Sequence, residues 1–268
     1  MSRVTVLKFG GELLEEPART QALARVVRKA AARGPLVVVH GGGREIDRAL
    51  AAAGIAKQQV DGLRVTDEAT LDVVVQVLAG LLNTRLVATL NAAGVPAVGL
   101  TGADATVAPV GEAPPFTAAD GRIVSLGRVG LPKATPRPAL LARLAAAGFV
   151  PVVASVSASK AGALFNVNAD TLAGNLAARL KARRLVVAGN TAGVLDAAGA
   201  TVPVVDAAAA KAMVKAGTAS AGMIAKLAAC RTAAKAGVRD VRIVDGRSPA
   251  GLLAALNGEA VGPWTRVQ

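Results

Sequence analysis

A lysine near the end of an apolar run is the first feature of this sequence that could do chemistry. Residues 4–8 read VTVLK, and Phe9, Gly10 and Gly11 follow before a segment with helical character. The apolar residues predict a buried strand, and a full charge at its end is costly unless an anion offsets it. Glycine beside the lysine lets the backbone approach that anion. The pattern is typical of a phosphate contact, and a lysine that reaches solvent from a strand end is the alternative.

Two further glycine-rich turns follow predicted strands, HGGG at 40–43 and GNTAG at 189–193. In open α/β sheets, ligands bind beyond the carboxyl ends of the strands. Glycine lets the backbone come close to an anion there, and the next helix offers unpaired N–H groups to it. One such turn is weak evidence, but several in one chain predict a site for a highly phosphorylated ligand.

Motifs that the chain lacks exclude or disfavour several kinds of catalytic site. It has no P-loop motif, and no Gly-x-Gly-x-x-Gly follows a predicted strand, which disfavours a Rossmann dinucleotide site. The chain has one histidine and one cysteine, without the spacings of a metal site. His40 precedes three glycines at a strand end, so we expect it to support the turn rather than to act in Ser/His/Asp catalysis.

The elements that would position these residues alternate along the chain. Short Val-rich runs alternate with helical stretches such as 17–33 and 67–93, and a Gly/Pro-rich stretch from 109 to 137 predicts hairpins or loops. Uninterrupted apolar strands are typical of a parallel sheet covered on both faces. We therefore predict an α/β fold, a three-layer αβα sandwich with a mainly parallel central sheet.

The 268 residues carry a formal net charge of +13, which attracts phosphates, carboxylates, nucleic acid or an acidic partner. Basic residues are scattered apart from KARR at 181–184, and aromatic residues make up only 2% of the chain. Nucleic-acid sites commonly stack bases on aromatic side chains. We therefore favour a solvated basic surface and predict no nucleic-acid partner.

The sequence also suggests where the protein works. Its single cysteine, Cys230, allows no intrachain disulfide, and no basic stretch followed by an apolar segment opens the chain. We expect a cytoplasmic protein. The longest uncharged run, 86–103, is interrupted by Asn91, Gly94 and Pro96, so it predicts helix, turn and strand rather than a membrane span.

Nine segments, in order along nearly the whole chain, resemble the acetylglutamate kinases of the amino-acid kinase family. They are LKFGG at 7–11, VVVHGGG at 37–43, GLRVTD at 62–67, VLAGLLN at 77–83, AVGLTGAD at 97–104, GRVG at 127–130, FNVNAD at 165–170, AGVLD at 192–196 and AGMIAKL at 221–227. The combination of HGGG, GLRVT and NVNAD is specific, whereas each motif alone is not. The resemblance implies the amino-acid kinase fold in two lobes, with substrate binding and dimerisation over 1–165 and ATP binding over 166–268.

The resemblance implies a reaction and its catalytic residues. ATP would phosphorylate the γ-carboxylate of N-acetyl-L-glutamate, the second step of arginine biosynthesis, with Mg²⁺ bound through the nucleotide phosphates and no protein metal site. Lys8 and Lys226 would flank the transferring phosphoryl group, and Asp170 would hold both ammonium groups in position. A carboxylate nucleophile is already ionised at pH 7, so this chemistry needs no general base.

The resemblance also implies binding residues. Gly42 and Gly43 would bind the substrate and the phosphoryl group through N–H groups, and Arg64 would bind the α-carboxylate, with Asn166 and Asn168 orienting the amide and the carboxylate. Further phosphate contacts would come from Gly10, Gly11 and Gly41. The nucleotide would contact Asn190, Thr191, Ala192, Gly193, Val194, Leu195, Thr218, Ala219 and Ser220.

Taken singly, each residue has a structural alternative. Arg64 could be a surface cation, Asp170 the N-cap of the following helix, and Asn166 and Asn168 turn formers. The chain also departs from the family. Asn190 stands where the family often has aspartate, one glycine of a usual pair before Met223 is missing, and Arg44 follows HGGG.

The early position of the first strand resembles the short members of the family, which lack an N-terminal helix that joins dimers into hexamers. We therefore expect a homodimer that arginine does not inhibit. Three alternatives remain: a kinase for aminoadipate or glutamate linked to an acidic carrier protein, a kinase for another acyl group such as succinyl, and an inactive nucleotide-binding protein.

Overall fold

The computed structural model describes residues 3–134, 138–215, 221–260 and 262–268. Its strands are β1 Thr5–Phe9, β2 Leu36–His40, β3 Gln59–Val60, β4 Leu63–Arg64, β5 Ala97–Thr101, β6 Val110–Glu112, β7 Phe116–Thr117, β8 Ile123–Val124, β9 Gly130–Pro132, β10 Val150–Ala154, β11 Val156–Ala158, β12 Leu164–Asn166, β13 Arg184–Gly189, β14 Val204–Val205, β15 Asp240–Asp245 and β16 Trp264–Val267. Its helices are α1 Pro17–Ala31, α2 Gly43–Ala52, α3 Glu68–Val75, α4 Asn83–Ala92, α5 Ala139–Ala146, α6 Ala169–Arg179, α7 Ala207–Lys215, α8 Ala221–Lys235 and α9 Pro249–Asn257.

Within the described residues, eight strands form one central sheet in the order β14-β16-β15-β13-β1-β2-β10-β5. From β15 to β5 all neighbours run parallel, and β16 is antiparallel to β15. The predicted mainly parallel sheet is confirmed. The main-sheet strands before residue 165 lie on one side of the β1–β13 boundary and those after it on the other. The division into two functional lobes stays a prediction.

Side chains alternate across β1 and meet a helical layer on each face of the sheet. Leu7 and Phe9 belong to the core shared with α1, α4 and α9, whereas Val6 faces the core shared with α5, α6 and α8. This is the predicted three-layer arrangement. Since Lys8 is two residues from Val6, the same alternation turns its side chain toward the α6–α8 layer.

Strand β1 extends one residue further than the sequence indicates. Phe9 continues the ladder opposite Ala188 and His40, so Lys8 is the penultimate residue of the strand and not its end. Lys8 is buried, with 5% of its surface exposed. It therefore cannot be a lysine that reaches solvent from a strand end.

The predicted helix over 67–93 is a continuous helical stretch in which the π-helical turn Gln76–Leu82 joins α3 to α4. By length and composition, the stretch Glu68–Ala92 could cross a membrane. Here α4 packs against α1 and β5, and Leu86 and Leu90 are buried. It thus has the contacts of a core helix, and the run 86–103 is the predicted helix, turn and strand.

Short two-stranded sheets lie outside the central sheet. Strands β6 and β9 pair, β7 and β8 pair, and β3 and β4 form a third hairpin. A bridge between Thr66 and Gly127 joins two of these regions. The sequence predicts hairpins or loops over 109–137, of which residues 135–137 lie outside the described part of the chain.

Gly174 lets α6 and α8 approach closely, and we expect Gly174→Ala to destabilise the protein by about 1–3 kcal/mol. A Cβ at this position would lie 2.5 Å from the carbonyl oxygen of Ala229, which is backbone and cannot rotate away. The clash outweighs the roughly 1 kcal/mol that alanine gains in a helix. Urea unfolding measures the change in the free energy of unfolding. Gly80→Ala, where a Cβ would meet no atom within 4 Å, is the control, and equal stability of the two variants would contradict the prediction.

Candidate active site

Lys8 and Asp170 form a buried ion pair at the carboxyl end of β1. Helix α6 begins after Asn168, whose side chain accepts a hydrogen bond from the Thr171 N–H at 3.0 Å. This cap places Asp170 in the first turn, where the helix dipole favours a carboxylate. The Lys8 Nζ lies 2.8 Å from Asp170 Oδ1, and the two side chains are 6% and 8% exposed. The contact is an ion pair whose angles are not those of a hydrogen bond.

A second lysine approaches the other oxygen of the same carboxylate. Lys226 extends from α8, and its Nζ lies 3.8 Å from Asp170 Oδ2. Asp170 therefore lies between two ammonium groups, and the three charges sum to +1. Breaking such a buried set by removing one partner is costly, whereas an incoming anion would complete it.

Neither Cys230 nor His40 supplies a nucleophile or a base to the site around Asp170. Burial raises the pKa of the Cys230 thiol well above its usual range, and the Asp170 charge adds to the effect. Burial lowers the pKa of His40 to about 4, although its hydrogen bond with Gly41 opposes the shift. Asn83 Nδ2 donates to the Val152 carbonyl and lies 3.0 Å from His40 Nε2, so Nε2 accepts and Nδ1–H donates to the Gly41 carbonyl. His40 thus supports the turn, as the sequence predicts.

We expect this histidine to make stability fall as the pH drops from about 6.5 to 4. Between these pH values His40 is protonated in the unfolded chain but neutral in the folded protein, so a fall in pH favours unfolding. The gap between the ordinary value of 6.5 and about 4 corresponds to about 3 kcal/mol. Urea unfolding of the wild type and of His40→Gln at both pH values isolates the effect. Equal losses in the two proteins would contradict it.

Arg64 is held by an acidic residue of α2 and keeps one nitrogen without a partner. Its Nη2 donates to Asp47 Oδ1 and to the Gly43 carbonyl, while Nη1 is buried with no hydrogen-bond partner among the described residues. Lys57 Nζ lies 2.7 Å from Asp47 Oδ2. Burial favours a higher pKa for Asp47, but hydrogen bonds from Lys57 and Arg64 outweigh it and keep the pKa below its ordinary value. The ionised carboxylate orients the guanidinium, and Nη1 is available to an anionic ligand.

These residues line two adjacent cavities. The first, of about 290 Å³, is lined by Lys8, Gly11, Gly41, Gly42, Gly43, Arg64, Asn166, Asn168 and Asp170, among others. The second, of about 420 Å³, is lined by Arg44, Asn190, Thr191, Gly222, Met223 and Lys226, among others. Glu12, Gly43 and Arg64 border both. A ligand in one cavity would therefore lie next to a ligand in the other.

Close approach of two glycine turns shapes the floor of the first cavity. A Cβ on Gly11 would lie 2.7 Å from the Gly42 Cα, and a Cβ on Gly42 would overlap Leu82. A Cβ on Gly41 would lie 3.2 Å from that of Ala169, whereas Gly43 faces open space. Residues 41–43 lead into α2, whose N-terminal N–H groups can bind an anion.

A family model for the amino acid kinase family matches residues 3–245. The chain belongs to the amino acid kinase family. The acetylglutamate kinase of Solibacter usitatus is 40% identical over 96% of this chain and 96% of its own length. That of Aromatoleum aromaticum is 39% identical over 91% of this chain and 82% of its own length.

A solved structure shares the architecture of this amino acid kinase. The N-acetylglutamate synthase of Neisseria gonorrhoeae, solved with coenzyme A and N-acetyl-glutamate, matches with a TM-score of 0.82 and 26% identity. The match covers 99% of this chain and 59% of the synthase, so the chain spans about three fifths of that protein's length. The predicted amino-acid kinase fold is confirmed.

In this amino acid kinase, the structural alternatives that the sequence left open for Asp170 and Arg64 are both wrong. The N-cap of α6 is Asn168 and not Asp170, because the cap needs the residue just before the helix and Asp170 lies inside it. Arg64 is not a surface cation, since its side chain is only 10% exposed. Asn166 donates through Nδ2 to the Thr66 hydroxyl at 3.2 Å.

The predicted nucleotide residues fall into three groups. Asn190 and Thr191 line the second cavity. The next four support the loop: Thr201 Oγ1 donates to the Ala192 carbonyl, Gly193 has a φ of 107°, the Val194 N–H donates to Thr265, and Leu195 bridges Thr201. The residues Thr218, Ala219 and Ser220 lie outside the described residues. Arg44 is 68% exposed and reaches Glu15 at 3.4 Å.

Sequence reasoning missed two acidic residues of the site, Asp47 and Glu12. Asp47 lies four residues after Gly43 on α2, a spacing that puts both on one face of the helix. Glu12 directly follows the Gly10–Gly11 pair and borders both cavities. Their positions beside the glycine turns were the signals available in the sequence.

We expect Arg64→Lys to raise the KM for the carboxylate substrate that the resemblance implies by about 10- to 100-fold, and to change kcat less. The guanidinium keeps Nη1 available while Asp47 holds Nη2, and a lysine cannot keep both contacts in that planar geometry. Steady-state kinetics measures the change. Arg122→Lys, at an exposed hairpin arginine, is the matched control. An unchanged KM in Arg64→Lys would argue against acceptor binding by Arg64.

Proposed function

We propose that this chain is an acetylglutamate kinase, which transfers the γ-phosphoryl group of ATP to the γ-carboxylate of N-acetyl-L-glutamate. The products are N-acetyl-L-glutamyl 5-phosphate and ADP, in the second step of arginine biosynthesis. The observation that carries the proposal is the sharing of Asp170 by Lys8 and Lys226 beside the unpartnered guanidinium nitrogen of Arg64. Identity of about 40% to curated acetylglutamate kinases over most of the chain supports it.

The charges of the site suit a reaction between two anions. The acceptor carboxylate is ionised at neutral pH and needs no base, so the barrier lies in bringing it to a polyphosphate. Lys8 and Lys226 offset that repulsion, and they stabilise the charge that spreads over the phosphoryl oxygens in the transition state. Before the substrates bind, the negative charge of Asp170 offsets the repulsion between the two ammonium groups.

The remaining polar groups fit an acylated amino acid. Arg64 binds the α-carboxylate through Nη1, and the γ-carboxylate then points toward Lys8. Asn166 uses Nδ2 toward Thr66, which leaves its oxygen to accept from the substrate amide N–H. Asn168 uses its oxygen for the helix cap, which leaves its NH₂ to donate to a substrate carboxylate. The nucleotide occupies the second cavity, with its phosphates at Lys226.

A hydroxamate assay with Mg-ATP tests the proposal by trapping the acyl phosphate. N-acetyl-L-glutamate, N-succinyl-L-glutamate, free glutamate and N-acetyl-aminoadipate are compared in parallel. We expect the strongest signal with N-acetyl-L-glutamate. A stronger signal with the succinyl compound would move the acceptor to another acyl group. No signal with any free acid would overturn the proposal in favour of a carrier-linked acceptor or an inactive nucleotide-binding protein.

The assembly and location of the protein remain predictions. We propose a homodimer in the cytoplasm. Sedimentation velocity at micromolar concentration tests the assembly, and a single species of twice the chain mass would support it. A hexamer, or inhibition of the kinase by arginine, would overturn the expected arginine-insensitive homodimer.

A further inference from the structure

Glu12 is an acidic side chain in a site otherwise suited to anions. It lies in the 3₁₀ turn Gly11–Leu13 that follows β1, it is half-buried, and it borders both cavities. A carboxylate at this point repels the phosphates of a nucleotide unless a cation comes between them. Its presence therefore needs a physical reason.

The distances from two glycines show where the Glu12 carboxylate lies. A Cβ on Gly10 would overlap the Glu12 carboxylate, and a Cβ on Gly189 would lie 3.5 Å from Glu12 Oε1. The same position on Gly189 lies 3.5 Å from the Lys226 Cε. Glu12 thus lies above the carboxyl ends of the paired strands β1 and β13, close to the stem of Lys226. The strands that follow β1 are added on one side of this pair, and those that follow β13 are added on the other side. The crevice at such a reversal of strand order is where open α/β sheets bind ligands.

The other acidic residues of the two cavities are already used. Asp170 lies between Lys8 and Lys226, and Asp47 contacts Arg64 and Lys57. Among the described residues, no basic side chain forms an ion pair with Glu12. Glu12 is therefore the acidic side chain of these two cavities whose charge is not offset by an ion-pair partner among the described residues.

We propose that Glu12 is a protein ligand of the divalent cation that accompanies the nucleotide phosphates. This inference rests on the proposed kinase function. Mg²⁺ prefers oxygen ligands and is commonly held by one or two carboxylates together with substrate phosphates. The described residues contain no group of three or more His, Cys, Asp or Glu side chains able to hold a metal, so the nucleotide phosphates would have to supply further ligands. When bound, Mg²⁺ neutralises charge on the phosphates.

Nucleotide binding without turnover tests the role of Glu12. Calorimetry compares ADP binding with and without Mg²⁺ in the wild type, in Glu12→Gln and in the control Glu16→Gln, whose side chain is at the surface. We expect Mg²⁺ to raise the ADP affinity of the wild type and the control, and Glu12→Gln to lose about 10-fold or more of that increase. Without metal, Glu12→Gln should bind ADP more tightly than the wild type, because a repulsive charge is gone. Paramagnetic resonance of Mn²⁺ should show weaker binding of the ion to the ADP complex of Glu12→Gln.

An equal effect of Mg²⁺ on ADP binding in the wild type and Glu12→Gln would overturn the inference. So would unchanged Mn²⁺ binding in the ADP complex. The hydroxamate assay of the wild type separates this result from the proposed function. A wild type that phosphorylates N-acetyl-L-glutamate while Glu12→Gln keeps the full Mg²⁺ effect would refute the role of Glu12 alone. A wild type that binds no ADP would refute both.

Discussion

Replacing Lys8 with methionine is expected to lower kcat for acyl phosphate formation by about 10²–10³-fold. The ammonium group lies 2.8 Å from Asp170 and borders the first cavity, so in the proposed reaction its charge acts where the phosphoryl group transfers. Methionine keeps most of the volume of the side chain and removes the charge. The KM for ATP should change much less, because the lost interaction strengthens in the transition state.

Steady-state kinetics with varied ATP and acceptor checks this expectation. Lys235→Met is the matched control, since Lys235 lies exposed in the last turn of α8, the helix that carries Lys226 near its start. The control should keep wild-type kcat. A Lys8→Met enzyme with kcat within a few-fold of the wild type would remove Lys8 from the catalytic residues.

Replacing Asp170 with asparagine is expected to lower the free energy of unfolding by about 3–5 kcal/mol. The change leaves the buried ammonium of Lys8 and the nearby Lys226 without their shared counter-charge. An anion between the two lysines would replace part of that charge. Phosphate or sulfate should therefore stabilise the variant more than it stabilises the wild type.

Urea unfolding at pH 7, with and without phosphate, measures both effects. Asp120→Asn is the control, because Asp120 and Arg122 form an exposed ion pair on a hairpin and such pairs contribute little. It should unfold like the wild type. Wild-type stability in Asp170→Asn would mean that the two lysines are not held in the buried ion pairs.

The helices account for part of the excess positive charge. Basic residues occupy the last turn of several helices, namely Arg28, Lys29, Arg143, Arg179 and Lys235. Cations are favourable there because they complement the helix dipole. In an alternating α/β chain these turns lie at the end of the sheet opposite the carboxyl ends of the parallel strands. They are therefore remote from the candidate site. All but Arg179 are exposed, which agrees with a solvated basic surface.

The sequence by itself determined the fold class and the chemistry-bearing turns. Val-rich runs and amphipathic stretches are local patterns, so they predict strands and helices, and a run buried on both faces predicts a covered parallel sheet. Glycines after Lys8 and His40 likewise indicate close backbone approach, as the contact between Gly11 and Gly42 illustrates. These inferences need only the preferences of neighbouring residues.

Only the tertiary structure decided how distant residues combine. Lys8, Asp170 and Lys226 come from β1, α6 and α8, and they meet because both helices pack on the face of the sheet toward which Lys8 points. The tertiary structure likewise decided that Asp47 pairs with Arg64 and that Glu12 borders both cavities. Periodicity tells which way a side chain points from its own element, but its partner depends on which elements become neighbours, and that is set by packing of the whole core.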